Sequence, residues 1–311
     1  MNNIENHAKK IIEKSNSAES IIIYDKATDY EIDLANDKVF DVRSISKTIL
    51  SLACGILIEK SGGEFNLDTF IYPIIKDKVK LTNKKNLKYL EKIKVRHLLT
   101  HTTGYRDLIL YSKDIRKSQY DDLFEYIINY PIYYKPGDHF LYSNAGYYLL
   151  AITMQEYLDY EIFHFIEENL LKPLDIYNRS WGKFGKYIAG ATKINFNSYD
   201  MLKIGNLIFD DGKYNDKQIV SKAYISSMIR AYNENKNEIK RNYISEDLYG
   251  YGIWISKNGT IFASGTGGQL IVILKDLDMI IVSTNSGSDS KSHQIKKDID
   301  DLIKYMYESR V

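Results

Sequence analysis

The two ends of the chain have the pattern of β-strands, whereas its middle has the pattern of helices. Near the N-terminus, "SIIIYD" and "YEIDLAN" are strand-like runs that the polar turn "KATD" joins. Further strand-like runs, separated by turn residues, lie near the C-terminus: "LYGYGIWIS", "GTIFASG", "QLIVILKD" and "DMIIVSTN". Elements of one kind at both ends indicate a single sheet to which both ends contribute.

These patterns predict a fold of the α/β (α+β) class, with an antiparallel sheet built from both chain ends and flanked by helices. The runs "ENHAKKIIEKS" and "SHQIKKDIDDLIKYMYES" have apolar residues at helical spacing, so we expect them to be helices that cover the sheet. Residues 1–62 and 246–311 are expected to form the sheet domain, and residues 63–245 an inserted, mostly helical domain. We expect the active site to lie between the two.

Composition limits the partners and the compartment. The 42 basic and 41 acidic residues nearly cancel, which gives no electrostatic reason to expect nucleic acid or a membrane surface as a partner. The single cysteine, Cys54, excludes an internal disulfide. The N-terminus has charges throughout and no apolar stretch typical of a signal peptide, which predicts a cytoplasmic protein. A trimmed export signal would make it a secreted one.

A serine and a lysine stand where an apolar helix begins, in "DVRSISKTILSLACGILIEKSGG". Ser44 could cap this helix, but Ser44 and Lys47 also have the Ser-x-x-Lys spacing of serine acyl-transfer enzymes, one helical turn apart. The same spacing recurs at Ser180 and Lys183 and at Ser288 and Lys291, so it decides nothing alone.

Two other segments are candidates for a ligand site. In "YKPGDHFLYSNAGYYLLA", Tyr142 and Asn144 lie two apart in an extended stretch, so both side chains could face one ligand. Alternatively, Asn144 caps the following helix and the side chain of Tyr142 has only a packing role. In "FASGTGGQLIVI", three glycines occur within four residues. They would weaken a strand, so their presence suggests that another backbone segment or a ligand approaches this strand closely. A bulge is the other interpretation.

Taken together, these segments resemble the serine β-lactamase and penicillin-binding-protein hydrolases. The resemblance covers roughly residues 20–290 and rests on the order of Ser44-x-x-Lys47, "VRHLLTHTTG", "PGD…YSNAGYYLL", "YGYG" and the Gly-rich strand. Within the family, the chain is similar to the branch of class C β-lactamases, D-stereospecific peptidases and related esterases. The resemblance implies a β-lactamase/transpeptidase-like fold, with Ser44 as the nucleophile and the other two Ser-x-x-Lys pairs as chance matches.

The resemblance also implies a role for each matching catalytic residue. Ser44 would attack a carbonyl and become acylated, and Lys47 would help to deprotonate it. Tyr142 would share that proton and deliver it to the leaving group. The substrate-binding residues would be Asn144, Ser264, Gly265 and Thr266. Of these, Asn144 would hold a substrate amide or ester oxygen, and the backbone N–H of Gly265 or Thr266 would form the oxyanion hole with that of Ser44.

The Gly-rich strand departs from the family pattern. The family has Lys-Thr-Gly or His-x-Gly there, whereas this chain has either Phe262-Ala263-Ser264 or Ala263-Ser264-Gly265, depending on the register. Neither register supplies a cation for a substrate carboxylate. The sequence therefore favours a serine hydrolase that cleaves an ester or amide bond of a small substrate. The alternatives are a β-lactamase or D-amino-acid peptidase, and a non-catalytic ligand-binding relative of penicillin-binding proteins.

No cofactor or metal is expected. His97 and His101 have the spacing of metal ligands on a helix, but Thr100–Gly104 has the pattern of a loop and no further Cys or His supports a metal site. We expect structural roles for both, and for His139. Nothing in the sequence indicates the oligomeric state.

Overall fold

A computed structural model describes residues 2–14, 18–111, 115, 122–236, 241–286 and 292–309. The chain divides into two compact units, one of Met1–Thr48 and Ile194–Val311 and the other of Ile49–Lys193. We call them the sheet unit and the helical unit. Ser288 and Lys291, one of the two chance matches, lie outside the described residues.

Helices occur in both units. Their bounds are α1 Asn2–Glu13, α2 Ile45–Lys60, α3 Tyr72–Ile75, α4 Leu87–Leu90, α5 Val95–Leu99, α6 Leu123–Asn129, α7 Asn144–Leu158, α8 Ile162–Ile166, α9 Ser198–Phe209, α10 Lys222–Met228 and α11 Ser292–Glu308. The strands are β1 Ser20–Asp25, β2 Tyr30–Leu34, β3 Phe40–Asp41, β4 Lys183–Phe184, β5 Tyr187–Ile188, β6 Asn195–Phe196, β7 Lys213–Tyr214, β8 Lys217–Gln218, β9 Asn233–Glu234, β10 Leu248–Tyr249, β11 Trp254–Ile255, β12 Ile261–Gly265, β13 Gln269–Leu274 and β14 Met279–Thr284. Within the described residues, no helix combines the length and the apolar character needed to cross a membrane.

The large sheet confirms the predicted architecture. Among the described residues, eight strands pair in the order β2-β1-β14-β13-β12-β11-β10-β9, and neighbouring strands are antiparallel. Strands β1 and β2 come from the start of the chain, whereas β9 to β14 come from its last third. Strands β13 and β14 are buried at every position, which explains their nearly continuous apolar sequences.

Helices cover both faces of the sheet. A Cβ atom added to Gly205 of α9 would lie 2.9 Å from Ile280 of β14, so α9 packs on the face to which Ile280 points. The preceding residue, Met279, lies on the opposite face. There it lines a groove together with Ile4 of α1 and Met306 of α11. Both faces are therefore excluded from water, with α9 on one side and α1 and α11 on the other.

The compact units differ from the expected domain bounds. Residues 194–245, expected in the helical domain, belong to the sheet unit, because α9 packs on β1, β13 and β14. Residues 49–62, expected with the sheet, belong to the helical unit. The run "LYGYGIWIS" was expected to be one strand but forms two. Strands β10 and β11 pair as a hairpin whose turn contains Gly252, a glycine in the left-handed region with φ +73°.

The helical unit is built around α7. Its residues from Ala145 to Met154 are all buried, with α3, α5 and β5 packed against it. Gly190 approaches α7 closely, since a Cβ atom there would lie 2.4 Å from the carbonyl oxygen of Tyr147. Only glycine fits this contact.

Candidate active site

Ser44 lies in the turn that leads into α2. Backbone hydrogen bonds close this turn: the N–H of Ser46 donates to the carbonyl of Arg43 at 3.0 Å, and that of Lys47 to the carbonyl of Ser44 at 3.1 Å. Arg43 itself has φ +53°, a region that non-glycine residues enter at a cost. The side chain of Asp41 accepts a hydrogen bond from the Arg43 N–H at 2.8 Å. Such strain is typical of segments whose conformation is fixed for a function.

The ammonium group of Lys47 is buried beside Ser44. Its Nζ donates a hydrogen bond to Ser44 Oγ at 3.0 Å, and the residue is 0 % exposed. Burial disfavours the charged form and lowers the pKa of Lys47 from 10.5 to about 7. Near neutral pH a large fraction of the amine is therefore uncharged, and its lone pair can accept the hydroxyl proton. The structure thus brings these two predicted residues within hydrogen-bonding distance of each other.

Other segments of the sheet unit fix the start of α2. The hydroxyl of Thr48 donates to the carbonyl of Gly252 at 2.6 Å, which gives the "YGYG" turn a structural role. The N–H of Ile194 donates to Ser46 Oγ at 3.3 Å, and the N–H of Val42 donates to the carbonyl of Ile194 at 3.0 Å. Because these contacts lie on both sides of Ser44 and Lys47 along the chain, they limit the movement of both.

The last residue of β12 lies against the segment that precedes Ser44. A Cβ atom added to Gly265 would be 2.4 Å from the carbonyl oxygen of Val42 and 3.1 Å from Cβ of Arg43. The backbone can come this close only because residue 265 has no side chain. The close approach explains why a glycine occurs here within the sheet, and it places the end of β12 beside the segment that precedes Ser44.

Gly265→Ala is expected to lower both stability and the rate of Ser44 acylation. The new methyl group meets backbone rather than a movable side chain, so we expect a loss of about 1–3 kcal/mol in the free energy of unfolding. Displacement of the strand end should slow acylation by about 10- to 100-fold. Thermal denaturation and the labelling rate with a fluorophosphonate measure the two effects. In the control Gly259→Ala, nothing lies within 4 Å of the added Cβ, and the substitution adds only the backbone strain of an alanine at φ +90°. It should lower stability but leave the labelling of the folded protein unchanged. Normal labelling of Gly265→Ala would show that the close approach has no role in catalysis.

Ser264 and Thr266 lie on either side of this glycine but differ in surroundings. Ser264 is 7 % exposed, and its hydroxyl donates to Glu246 Oε1 at 3.4 Å. Thr266 is exposed in the turn between β12 and β13. Neither Glu246 nor Lys296, which pairs with it, was singled out from the sequence. No sequence motif includes either residue. Glu246 lies before the "YGYG" turn, and Lys296 lies within the amphipathic helical pattern of α11.

Tyr142 and Asn144 belong to the helical unit, at the start of α7. The extended stretch, expected to include Asn144, ends at Ser143. Ser143 is the N-cap of α7, and its hydroxyl accepts a hydrogen bond from the N–H of Ala145 at 3.4 Å. The alternative in which Asn144 caps the helix is therefore wrong. Asn144 is the first helical residue, and its Nδ2 donates to the carbonyl of Leu110 at 2.9 Å. The ring of Tyr142 packs on that of His101, with the centroids 4.7 Å apart.

The histidines make structural contacts. Nδ1 of His97 accepts a hydrogen bond from the N–H of Lys94 at 3.1 Å, and burial lowers the pKa of His97 to about 4. The carbonyl of His101 accepts the N–H of Leu141 at 2.9 Å. His139 packs on Tyr134, with ring centroids 4.3 Å apart. Among the described residues, no group of three or more His, Cys, Asp or Glu side chains is arranged to hold a metal ion.

The second Ser-x-x-Lys pair in the described part of the chain has a different setting. Lys183 lies on β4 and pairs with Glu161 at 2.5 Å, with both side chains largely exposed. The structure therefore distinguishes Lys47 from Lys183 by burial.

The fold is that of β-lactamase/transpeptidase-like proteins. The octameric penicillin-binding protein homologue from Pyrococcus abyssi superimposes with a TM-score of 0.70 at 19% identity, over 94% of this chain and 75% of that one. EstCE1, described as a hydrolase with promiscuous acyltransferase activity, gives a TM-score of 0.71 at 15% identity, over 97% of both chains.

The sequence comparisons identify the family. The model of the Beta-lactamase family matches residues 23–303, and the chain belongs to this family. Penicillin-binding protein 4* of Bacillus subtilis (strain 168) is 26% identical over 163 residues, which are 47% of this chain. The match spans only 32% of that relative's length. The family assignment and the fold agree with each other.

Proposed function

We propose that the protein is a serine hydrolase that cleaves an ester or amide bond of a small substrate through an acyl-enzyme on Ser44. The observation that supports this most is the buried amine of Lys47, 3.0 Å from Ser44 Oγ, with its pKa lowered to about 7. A base is most effective when its pKa lies near the working pH. Lys47 is therefore suited to remove the Ser44 proton as the hydroxyl oxygen attacks the substrate carbonyl.

The remaining residues have proposed roles in the same reaction. The N–H groups of Ser44 and of Gly265 or Thr266 stabilise the oxyanion of the tetrahedral intermediate. The position of Gly265 beside Val42 supports the register in which Ala263-Ser264-Gly265 corresponds to the family's Lys-Thr-Gly or His-x-Gly. Tyr142 passes the proton to the leaving group, and Asn144 holds the substrate amide or ester oxygen. Water then hydrolyses the acyl-enzyme, with the same groups acting in reverse.

The burial of Lys47 also argues against a non-catalytic binding protein. A pKa lowered from 10.5 to about 7 corresponds to a cost of about 5 kcal/mol for keeping a lysine at this position in acid. A methionine of similar volume would avoid that cost. A protein that only binds a ligand gains nothing from it, whereas a serine nucleophile needs a base of lowered pKa.

The test is covalent labelling of the intact protein. A fluorophosphonate should add one label to the wild type, on the peptide that contains "SISK", and none to Ser44→Ala. Ser180→Ala is the matched control, because Ser180 has the same spacing to a lysine but an exposed one; its labelling should equal that of the wild type. Undiminished labelling of Ser44→Ala would overturn the assignment. A parallel panel of neutral esters, amides, penicillins and D-amino-acid peptides would separate the proposed esterase or amidase activity from the β-lactamase and peptidase alternatives.

A further inference from the structure

A partly buried ion pair lies beside β12, the strand that ends near the segment before Ser44. Nζ of Lys296, on α11, lies 2.6 Å from Oε1 of Glu246, and the same oxygen accepts the hydroxyl of Ser264 at 3.4 Å. Ser264 is the chain neighbour of Gly265, whose backbone lies against Val42 and Arg43. The pair is therefore connected to the strand end proposed to bind substrate.

The loop that contains Glu246 is held on α11. The carboxylate of Asp300 accepts the N–H groups of Asn242, Tyr243 and Ile244 at 3.0, 2.7 and 2.9 Å. The ring of Tyr243 also stacks on that of Tyr307, with centroids 4.8 Å apart. These contacts order the backbone just before Glu246, and the contacts with Lys296 and Ser264 orient its carboxylate.

The exposure of the two charges decides which of them a ligand meets. The side chain of Lys296 is 12% exposed, whereas that of Glu246 is 26% exposed. The carboxylate is thus the more accessible charge, and it neutralises the ammonium behind it. Partly buried charges interact more strongly than surface charges because water screens them less.

We infer that Glu246 is a specificity-determining residue that disfavours substrates with a free carboxylate near the scissile bond. This inference rests on the proposed hydrolase function. A substrate carboxylate at this strand meets the negative charge of Glu246 and has to displace it in order to pair with Lys296. A neutral ester or amide is not repelled by Glu246 and does not have to displace it. The chain thus contains a cation, Lys296, near its Gly-rich strand, but the pairing with Glu246 prevents this cation from binding an anionic substrate.

The test compares two substrates that differ only in this charge. The p-nitrophenyl monoester of adipic acid has a free distal carboxylate, and its methyl ester has none. Their kcat/KM ratio, free acid over methyl ester, should be below one for the wild type. Glu246→Gln keeps the shape and leaves Lys296 unpaired, so the ratio should rise by about 10- to 100-fold. In Glu246→Gln/Lys296→Met it should fall back towards the wild-type value.

A matched variant controls for general charge effects. Glu234→Gln breaks a surface pair with Lys257, 3.3 Å apart and 65% exposed on both sides, and should leave the ratio unchanged. Thermal denaturation checks that each variant is folded. If Glu246→Gln is folded and turns over the methyl ester but keeps the wild-type ratio, the inference is wrong. A rise in Glu234→Gln equal to that in Glu246→Gln would also overturn it, because the effect would then be long-range.

A binding measurement keeps the two proposals distinguishable. If the wild type turns over neither ester and Ser44 is not labelled, the hydrolase proposal fails. The affinity of the protein for adipate and for its dimethyl ester is then measured by calorimetry. A preference for adipate that appears only in Glu246→Gln supports the role of Glu246 as a charge filter, and the same preference in wild type and variant refutes it.

Discussion

Replacing Lys47 with methionine is expected to lower kcat/KM by about 10²- to 10⁴-fold, the usual contribution of general acid–base catalysis. Methionine has a similar volume and no proton-accepting atom of comparable basicity, so the cavity stays filled while the base is lost. In the wild type, only the neutral amine can accept the Ser44 proton. Since the pKa of Lys47 is about 7, kcat/KM should fall about tenfold per pH unit below pH 7 and level off above it.

The same substitution is expected to stabilise the fold. The pKa of a lysine is about 10.4 in an unfolded chain, and here it is about 7 in the folded protein. Between these values the unfolded state binds more protons, so the stability of the wild type rises with pH. Below pH 7 the cost of the buried amine is fully present. We therefore expect Lys47→Met to be more stable by roughly 2–4 kcal/mol at pH 7, with the difference shrinking as the pH approaches 10.

Activity and stability are measured on the same protein samples, by ester turnover and by thermal denaturation at pH 7 and pH 9. Lys60→Met, at the exposed end of the same helix, is the matched control and should change neither quantity appreciably. A Lys47→Met variant with near-normal turnover would remove Lys47 from the mechanism. A variant that is less stable than the wild type at pH 7 would show that the buried amine is not a cost to the fold.

The sequence predicted the sheet well because its strands have strong local signals. "SIIIYD" coincides with β1, and "QLIVILKD" and "DMIIVSTN" contain β13 and β14. Residues 194–245 could not be assigned correctly, because α9 has the same helical periodicity whether it packs on a sheet or on other helices. The "LYGYGIWIS" run was read as one strand because its glycines are as compatible with a bulge as with the turn that Gly252 makes.

The candidate site was predictable only where spacing along the chain fixes geometry. Ser44 and Lys47 are one helical turn apart, so their contact follows from the helix. The burial of Lys47 depends on packing from distant segments, and no local pattern reports it. The same holds for Glu246 and Lys296, which are 50 residues apart in the sequence and meet only because α11 packs on the turn that follows β12. Contacts of this kind require the tertiary structure.

The roles proposed for Tyr142 and Lys47 can be tested together, because the two groups are proposed to share one proton. Tyr142→Phe removes the hydroxyl but keeps the ring that packs on His101, so the fold should be retained. We expect this single variant to lower kcat/KM by about 10²- to 10⁴-fold, as for Lys47→Met. Residues that act as a unit give non-additive losses, so the double variant should lose far less than the product of the two single losses.

The measurement is kcat/KM of the wild type, the two single variants and the double variant with one neutral ester. Fluorophosphonate labelling is a second readout of Ser44 acylation. Tyr147→Phe is the control for loss of a nearby phenol, since its hydroxyl donates to the carbonyl of Leu99 at 2.9 Å within the helical unit. It should lower stability by about 1 kcal/mol, the usual net contribution of one hydrogen bond, with little effect on kcat/KM of the folded protein. Losses that multiply in the Lys47→Met/Tyr142→Phe variant would show that the two groups act in separate steps. Full activity of Tyr142→Phe would exclude the tyrosine from proton transfer and leave Lys47 as the base on its own.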